Sequence, residues 1–298
     1  MRKHCVLALG FFDGVHLGHK ALLCEAARQA VCLKTRAAVL TFDAHPDEII
    51  SGRRVGLINS RKDQKTLLLQ NGADEVFYLH FDKAMMELPY QTFLSEVLFS
   101  QYQPAYVVCG HDFRFGRYGE GTAELLRQAC EENDIGCSVI QAVKLDGQTV
   151  SSTAIRTLLS QGEIEQASRL LGHGQFYSGT VKNGQRLGRT LGIPTANLCF
   201  EDGVLLPRLG VYSCKVCADG STYPAVCNIG RRPTVGGRDV TLEAHLLGFS
   251  GDLYGKEICV QLCRFLRSEQ KFDSLDALKE QISRDEEAAR EDFGECHG

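Results

Sequence analysis

The feature that most constrains the fold is a regular alternation of short apolar runs and helix-like runs through the first half of the chain. Strands are predicted at residues 4–9, 37–42, 75–79, 105–109 and 137–142, and helices at 20–31, 62–70, 90–99 and 123–132. Strands that alternate with helices in this way are typical of βαβ units. We therefore predict an α/β doubly wound parallel sheet, whose ligands bind beyond the carboxyl ends of the strands.

The pattern changes after a helical stretch predicted at residues 153–171. The region that follows is rich in glycine, and short β-like runs occur at 176–181, 211–217, 222–228, 242–249 and 258–265. Asp219 and Gly220 separate two of these runs and favour a tight hairpin. Short strands at this spacing predict a small antiparallel β-barrel or a sandwich.

A C-terminal helix is expected to pack on this barrel, because Leu275, Leu278 and Ile282 fall on one helix face. A chain of 298 residues is long enough for two domains. We place the boundary near Gly172, which gives domains at 1–172 and 173–298.

Composition excludes several classes of protein. The net charge of -4 provides no overall attraction to nucleic acid or to an anionic membrane. No apolar run reaches the roughly 20 residues that a membrane span needs, and the N-terminus lacks the pattern of a secretory signal. The 13 cysteines are scattered and odd in number, so reduced thiols in a cytoplasmic protein are expected. The oligomeric state stays open.

A glycine-rich turn joins the first predicted strand to the first helix. Gly10, Gly14 and Gly18 let the backbone approach an anion closely, and a helix start attracts phosphate through its free N–H groups. His16 and His19 are three residues apart, which brings both imidazoles to the same side of the turn. Two donors aimed at one phosphate suit a leaving pyrophosphate. A pair of core histidines is the structural alternative, but the three glycines favour phosphate handling.

Two other segments of the first half are less specific. Ser152 or Thr153 could cap a helix, and Arg156 could fork onto an anion there, although a simple N-cap with a surface arginine explains the same residues. Residues 110–116 form an aromatic-lined loop that either contacts a ligand or closes the sheet. The chain contains no G-x-x-x-x-G-K-[ST] motif, so it is not a P-loop enzyme.

In the second half, residues 179–198 are dense in glycine and basic side chains, which suits a loop that wraps phosphate. Thr195 and Asn197 offer neutral oxygen ligands of the kind that Mg²⁺ accepts beside substrate phosphates. Glu243 is a lone acid in an otherwise apolar or neutral strand, where a carboxylate could orient a hydroxyl for attack on a γ-phosphate. A glycine-rich hairpin and an outward-facing strand glutamate remain the structural alternatives.

Four segments of the first half resemble motifs of one family. Residues 16–19 match the H-x-G-H signature of nucleotidyltransferases, and residues 12–19 resemble the longer version found in bacterial FAD synthetases. Residues 41–46 are similar to that family's T-F-x-P-H-P, with Ala44 as the departure. The segments 110–116 and 150–156 resemble its G-x-D-F-x-F-G and I-S-S-T-x-I-R.

The second half resembles riboflavin kinases. Residues 179–198 are similar to G-x-x-x-x-G-R-x-L-G-F-P-T-A-N-L, with Ile193 in place of the usual Phe. Similar blocks follow at residues 223–230 with 233–234, 241–247 with 252–255, and 265–272. The order of motifs over nearly the whole chain resembles the bifunctional bacterial riboflavin kinase / FAD synthetase (FMN adenylyltransferase) family.

The resemblance implies two activities and a set of ligands. The C-terminal domain would phosphorylate riboflavin to FMN with ATP as co-substrate, and the N-terminal domain would adenylylate FMN to FAD with release of pyrophosphate. Mg²⁺ is the implied cofactor. Riboflavin, FMN and ATP are the implied small-molecule partners, with no nucleic acid and no membrane.

The resemblance also implies roles for single residues. His16, His19, Arg156 and Glu243 would be catalytic, with Glu243 as general base on the ribityl 5′-hydroxyl, and Thr195 and Asn197 would hold Mg²⁺ with ATP. The implied nucleotide-binding residues are Gly10, Phe12, Asp13, Gly14, Ser152, Thr153, Gly179, Gly188, Arg189, Gly192 and Pro194. The implied flavin-binding residues are His45, Asp112, Phe113, Phe115 and Arg267.

Two other functions remain open from the residues alone. One is an adenylyltransferase for another phosphorylated metabolite, fused to an unrelated β-domain. The other is a flavin sensor that binds without turnover. The kinase-like motifs disfavour the first, and the presence of His16, His19, Arg156 and Glu243 disfavours the second.

Overall fold

The computed structural model describes residues 5–182, 195–231 and 240–295. Internal contacts divide the chain into two compact units. The first comprises Met1–Leu57 and Arg61–Ser152, and the second comprises Ile58–Ser60 and Thr153–Gly298. Each unit has its own sheet.

The first unit is built on a parallel sheet. Its strands are β1 (Cys5–Leu9), β2 (Arg36–Phe42), β3 (Glu75–Leu79), β4 (Tyr106–Gly110), β5 (Arg114–Phe115), β6 (Gly121–Thr122), β7 (Gly136–Ile140), β8 (Lys144–Leu145) and β9 (Gln148–Thr149). Five of them pair in parallel in the order β3-β2-β1-β4-β7, while β5 pairs with β6 and β8 with β9 as short antiparallel ribbons. The predicted doubly wound parallel sheet is confirmed.

Helices cover this sheet and separate its strands. They are α1 (Leu17–Leu33), α2 (Pro46–Ser51), α3 (Arg61–Gln70), α4 (Lys83–Met86), α5 (Tyr90–Thr92), which continues into a π-helix (Phe93–Tyr102), and α6 (Ala123–Glu132), with 3-10 turns at Asp13–Val15 and Arg117–Gly119. Every residue of β1 is buried, as are five consecutive residues of β2. Such continuous apolar runs form where both faces of a parallel sheet are covered.

The strand order reverses at β1, because β2 pairs on one side of it and β4 on the other. The connections that leave β1 and β4 therefore diverge to opposite faces, which opens a crevice at the carboxyl ends of these two strands. The glycine-rich turn follows β1 and the aromatic loop follows β4. The topology thus brings together two segments that are far apart along the chain, in the predicted ligand-binding region.

The second unit contains helices and an antiparallel sheet. Its elements are α7 (Ser152–Gln161), which begins on the last residue of the first unit, α8 (Ile164–Leu171), β10 (Phe176–Thr180), β11 (Ala196–Cys199), β12 (Gly210–Ala218), β13 (Ser221–Arg231), β14 (Val240–Leu246), β15 (Glu257–Arg267) and α9 (Leu275–Glu295). The single helical stretch predicted at 153–171 is two helices. Gly162 separates them with φ +84°, a conformation that a helix interior does not accommodate.

The sheet of the second unit curls into a nearly closed barrel. Its order is β10-β15-β12-β13-β14-β11 with antiparallel neighbours, and a bridge from Lys182 to Asn197 brings the two edges together. Asp219 and Gly220 have φ +50° and +78°, so the predicted hairpin has the two left-handed residues of a type I′ turn. The predicted small antiparallel barrel is confirmed.

The C-terminal helix α9 packs on β12, β13 and β15, as predicted, but not through all the expected residues. Leu275 is 63% exposed, so its assignment to the packed face is wrong. The helix buries Asp285 and Ala289 instead, because the facing strands carry polar side chains that require partners. In the described part of the chain, no helix is long and apolar enough to cross a membrane.

Candidate active sites

The turn after β1 has an unusual backbone. Phe12, Gly14 and Val15 have φ of +58°, +81° and +41°. Glycine adopts this region freely, whereas phenylalanine and the β-branched valine are held there at a conformational cost. Both of these side chains are fully buried, so the core of the unit fixes the turn.

Hydrogen bonds from three other segments hold the same turn. The Phe11 carbonyl accepts from Thr41 Oγ1 at 2.9 Å and from Gln64 Nε2 at 2.8 Å. The Asp13 carbonyl accepts from Ser152 Oγ at 2.9 Å. The turn is therefore tied to β2, to α3 and to the first residue of α7.

The two histidines form a stacked pair at the start of α1. His16 caps the helix, and its Nδ1 accepts a hydrogen bond from the His19 backbone N–H at 3.3 Å. The ring centroids lie 3.6 Å apart with an interplanar angle of 15°. Gly18 permits this arrangement, because a Cβ there would lie 3.0 Å from His16 Cε1. The predicted proximity of both imidazoles is confirmed.

Two properties of His19 bear on anion binding, its protonation and an unpartnered ring nitrogen. Burial, together with the neighbouring His16 ring, lowers the pKa of His19 well below its ordinary value of 6.5, so the imidazole is neutral at neutral pH. His19 Nδ1 is buried and has no hydrogen-bond partner among the residues that the structure describes. A phosphate beside the pair would favour protonation and would engage this atom.

An apolar cleft lies next to the turn, at the carboxyl ends of β1, β2 and β3. It encloses only about 10 Å³ and is lined by Leu9, Gly10, Leu40, Thr41, Phe42, Leu79, Phe93 and Phe113. Phe113 stacks on Phe115 with centroids 5.6 Å apart, and Phe115 is itself buried against Phe93. Of the predicted flavin residues in this loop, Phe113 thus faces the cleft and Phe115 supports it, while the Asp112 side chain is 82% exposed.

His45 lies on the other side of the turn. It caps α2, with Nδ1 accepting from the Asp47 N–H at 3.1 Å, and its ring meets the Phe11 ring edge-on at 4.5 Å. The guanidinium of Arg61 lies 5.0 Å above the same Phe11 ring, and its Nη2 is buried without a hydrogen-bond partner in the described chain. Arg61 is not among the residues predicted from the sequence, since no motif around it indicates a functional role.

The predicted residues of the 150–156 segment divide between the two units. Ser152 belongs to the first unit and reaches the glycine-rich turn. Thr153 and Arg156 lie on α7 and belong to the second unit. The nucleotide-binding roles of Ser152 and Thr153 and the catalytic role of Arg156 stay predictions.

The candidate site of the second unit is organised by strand register. Glu243 on β14 is paired directly with Asn197 on β11 and with Asn228 on β13. Asn228 is paired with Val211 on β12, and Val211 with Arg267 on β15. Directly paired residues share one face of a sheet, so these five residues form a row across five strands. We call it the outer row, because the alternate residues of β13, such as Cys227 and Ile229, are fully buried inside the barrel; Asn197 and Val211 of the row are themselves buried.

Thr195 and Asn197 line a cavity of about 240 Å³, together with Val181, Ala196, Leu246, Phe249, Ser250, Gly251, Asp252, Leu253 and Tyr254. Asn197 is buried, and its Nδ2 donates to the Thr195 carbonyl at 3.3 Å. The structure adds the Asp252 carboxylate, whose Oδ1 accepts from the Tyr254 N–H at 3.0 Å. Two neutral oxygens and one carboxylate suit a Mg²⁺ ion that also binds substrate phosphates.

Arg267 is tied to the C-terminal helix. Its guanidinium forks onto Asp285 with distances of 2.7–3.3 Å, and Gln281 donates to the same carboxylate at 2.9 Å. The Asp285 side chain is 5% exposed. Removing one partner of such a buried pair would leave an uncompensated buried charge. Arg267 therefore holds α9 in place whether or not a flavin contacts it.

The remaining predicted residues belong to the glycine-rich segment of the second half. Gly179 lies in β10, and a Cβ there would lie 3.4 Å from the Leu198 side chain. The other predicted nucleotide-binding residues of this loop lie outside the described residues; they are Gly188, Arg189, Gly192 and Pro194.

Comparisons with known proteins agree with the order of the motifs. A family model described as FAD synthetase matches residues 1–154, and one described as riboflavin kinase matches residues 171–293. A bifunctional riboflavin kinase/FMN adenylyltransferase from Escherichia coli (strain K12) is 40% identical over 295 residues, covering 98% of this chain and 94% of the relative. The protein of the same name from Bacillus subtilis (strain 168) is 32% identical over 289 residues, covering 95% and 91%.

A solved structure supports the architecture over nearly the full length. It is described as a macrolide-efflux protein from Streptococcus pneumoniae, and it aligns with a TM-score of 0.86 at 30% identity. The alignment covers 97% of this chain and 95% of that one. Both units therefore have counterparts within one other chain.

Proposed function

This chain belongs to the family of bifunctional riboflavin kinase/FMN adenylyltransferases, and we propose that it makes FMN and then FAD at two separate sites, with ATP as co-substrate in both steps. The observation that carries the proposal is the joint presence of the stacked His16–His19 pair and the outer row that contains Glu243, each within the range of its family model. In this proposal residues 1–172 perform adenylyl transfer and residues 173–298 perform phosphorylation.

For the kinase step, the 5′-hydroxyl oxygen of riboflavin attacks the γ-phosphorus of ATP. The bond to the bridging oxygen of ADP breaks, and the hydroxyl proton passes to the Glu243 carboxylate. Thr195 and Asn197, with Asp252 in the same cavity, would hold Mg²⁺, which neutralises charge on the phosphates. Gly179, Gly188, Arg189, Gly192 and Pro194 are proposed to surround the nucleotide.

For the adenylyl step, a phosphate oxygen of FMN attacks the α-phosphorus of ATP, and pyrophosphate leaves. The attacking oxygen carries no proton at neutral pH, so the step needs charge stabilisation rather than a base. His16 and His19 are proposed to donate hydrogen bonds to the charge that develops on the phosphates. Gly10, Phe12, Asp13, Gly14 and Ser152 are proposed to complete the nucleotide site of the first unit. A nucleotide-binding role for Thr153 and a catalytic role for Arg156 stay predictions.

The flavin of the adenylyl site is proposed to enter the apolar cleft beside Gly10 and Phe113, with His45, Asp112 and Phe115 around it. The apolar walls of the cleft support this proposal, because ligand sites combine apolar walls with a few polar groups. The cleft encloses only about 10 Å³, so its walls would have to move apart to admit the flavin ring. In the kinase site, Arg267 is proposed to lie near the bound flavin ring.

Product analysis tests the proposal. The chain is incubated with riboflavin and ATP, and riboflavin, FMN and FAD are separated by chromatography. We expect FMN to appear first and FAD to follow, and FMN supplied in place of riboflavin to yield FAD and pyrophosphate. Formation of FMN without any FAD would contradict the proposed adenylyl activity. Formation of neither product would leave only flavin binding.

A further inference from the structure

Asn228 occupies the middle of the outer row, and no role follows for it from the motifs. It lies between Glu243 on one neighbouring strand and Val211 on the other. Neighbouring strands are about 4.8 Å apart, a distance that a few bonds of a polyol chain span. A substrate whose terminal hydroxyl meets Glu243 and whose ring lies towards Arg267 therefore passes over Asn228.

The orientation of the Asn228 amide is fixed by its chemistry. Its Nδ2 donates to Glu269 Oε1 at 3.1 Å. A carboxylate accepts hydrogen bonds and does not donate them, so the amide nitrogen is on the Glu269 side and the amide oxygen is on the opposite side. That oxygen, Oδ1, is buried and has no hydrogen-bond partner within the described ranges.

Gly230 makes room for this pair. It is two residues from Asn228 on the same strand and face, and a Cβ there would lie 2.1 Å from Glu269 Oε1. The Glu269 carboxylate thus packs directly against the backbone of β13 at Gly230. Any larger residue at 230 would displace it, so the strand is shaped to hold the amide in one orientation.

A buried acceptor left without a donor destabilises the fold, and a ligand donor would remove that cost. We propose that Asn228 Oδ1 accepts a hydrogen bond from a secondary hydroxyl of the flavin's ribityl chain, beside the 5′-hydroxyl that Glu243 contacts. Asn228 is then a specificity-determining residue of the kinase site. This inference rests on the proposed kinase function and names how its substrate is selected.

The experiment measures kcat and KM for riboflavin and for its 2′-, 3′- and 4′-deoxy analogues, each of which keeps the 5′-hydroxyl. In the unchanged chain, removal of the contacted hydroxyl should lower kcat/KM about tenfold. Asn228→Leu should reduce that preference to about twofold or less, while the preferences at the other two positions stay as they were. Loss of this one preference is a result that general damage to the fold does not produce.

Glu269 provides a matched pair of variants. Glu269→Gln retains an acceptor for Asn228 Nδ2 and should keep the hydroxyl preference. Glu269→Ala releases the amide and should weaken the preference, as should Gly230→Ala. Circular dichroism and the thermal unfolding of the second unit report whether each variant is folded, and Asn228→Ala replaces Asn228→Leu if the leucine variant fails this check.

The outcomes separate this inference from the function on which it rests. Equal use of riboflavin and all three analogues by the unchanged chain overturns the inference, as does a preference that survives in the Asn228 variants. In both cases riboflavin is still phosphorylated and the proposed function stands. If the unchanged chain phosphorylates none of the four compounds, the kinase proposal itself fails.

Discussion

The two candidate sites are assembled in different ways. The first is local: His16, Gly18 and His19 lie within four positions of one another, and the stacked pair forms inside a single turn and the helix start that follows it. The second is distributed: Asn197, Glu243 and Asn228 lie on three strands and meet only through the pairing register. One site depends on backbone conformation, and the other on how the barrel closes.

This difference determines what damages each site. The first site is sensitive to a single added methyl group, because a Cβ at Gly18 would meet the His16 ring. It also depends on the contacts that hold the turn. A row of paired residues tolerates changes on its strands, but a register shift of one residue would turn every side chain to the other face. Substitutions at the two sites should therefore separate the two activities, which the following experiments examine.

The largest effect is expected from Glu243→Gln. An amide cannot take up the hydroxyl proton, so kcat for riboflavin phosphorylation should fall by about 10²–10⁴, while FAD formation from supplied FMN stays unchanged. Steady-state rates of both reactions provide the measurement, and Glu280→Gln on the exposed side of α9 is the control. If the Glu243→Gln variant lost affinity for riboflavin but kept its rate, Glu243 would not be the base.

His16→Ala should affect the other reaction. Loss of one donor to the developing charge should lower adenylyl transfer by about 10²–10³, with FMN production retained. His80→Ala, at a side chain that is 76% exposed and paired with Asp43, is the control. Loss of both activities in the His16 variant would contradict two separate sites.

Gly18→Ala tests whether adenylyl transfer depends on the position of the His16 ring, since both histidines are retained in this variant. The new Cβ would lie 3.0 Å from the His16 ring, and the resulting shift should slow adenylyl transfer about tenfold. Circular dichroism checks that the variant keeps its fold. Gly294→Ala in α9, where no atom lies within 4 Å of the new Cβ, should leave both rates unchanged. A normal adenylyl rate in the Gly18 variant would show that the stacking is dispensable.

The smallest expected effect is on the pH dependence of the free energy of unfolding. The pKa of His19 is lowered in the folded state, so the unfolded chain binds its proton first, and the free energy of unfolding falls as pH drops through about 6.5. The contribution of one such group is at most about 1.4 kcal/mol per pH unit. His19→Asn should remove it. Hydrogen exchange of the β1 amides between about pH 7.5 and 5.5, on either side of the ordinary histidine pKa, measures the free energy of unfolding of the two proteins. Identical slopes of this free energy against pH would contradict a buried neutral imidazole.

Much of the fold follows from the sequence because its signals are local. The strand at 75–79 and the helix at 123–132 have the predicted bounds, and Asp219-Gly220 forms the predicted hairpin turn. The histidine pair is partly of the same class: the spacing of His16 and His19 at a helix start predicts their proximity, while buried Phe12 and Val15 fix the turn that stacks them.

The rest required tertiary structure. Leu275 has the right helical spacing but lies exposed, and α9 instead buries Asp285 against Arg267. The sequence does not reveal which polar residue of the barrel needs a partner on the helix, because the two are separated along the chain and the pairing is decided by packing.

Packing between distant segments also decided which residues meet at the second site. The sequence by itself determined the two motif sets, the helix start with its histidine pair, and a lone acid at Glu243. Only the tertiary structure placed Asn228 beside Glu243, tied its amide to Glu269 and left its oxygen without a donor in the described chain. Register between distant strands is a property of the whole barrel, and no local pattern in the chain encodes it.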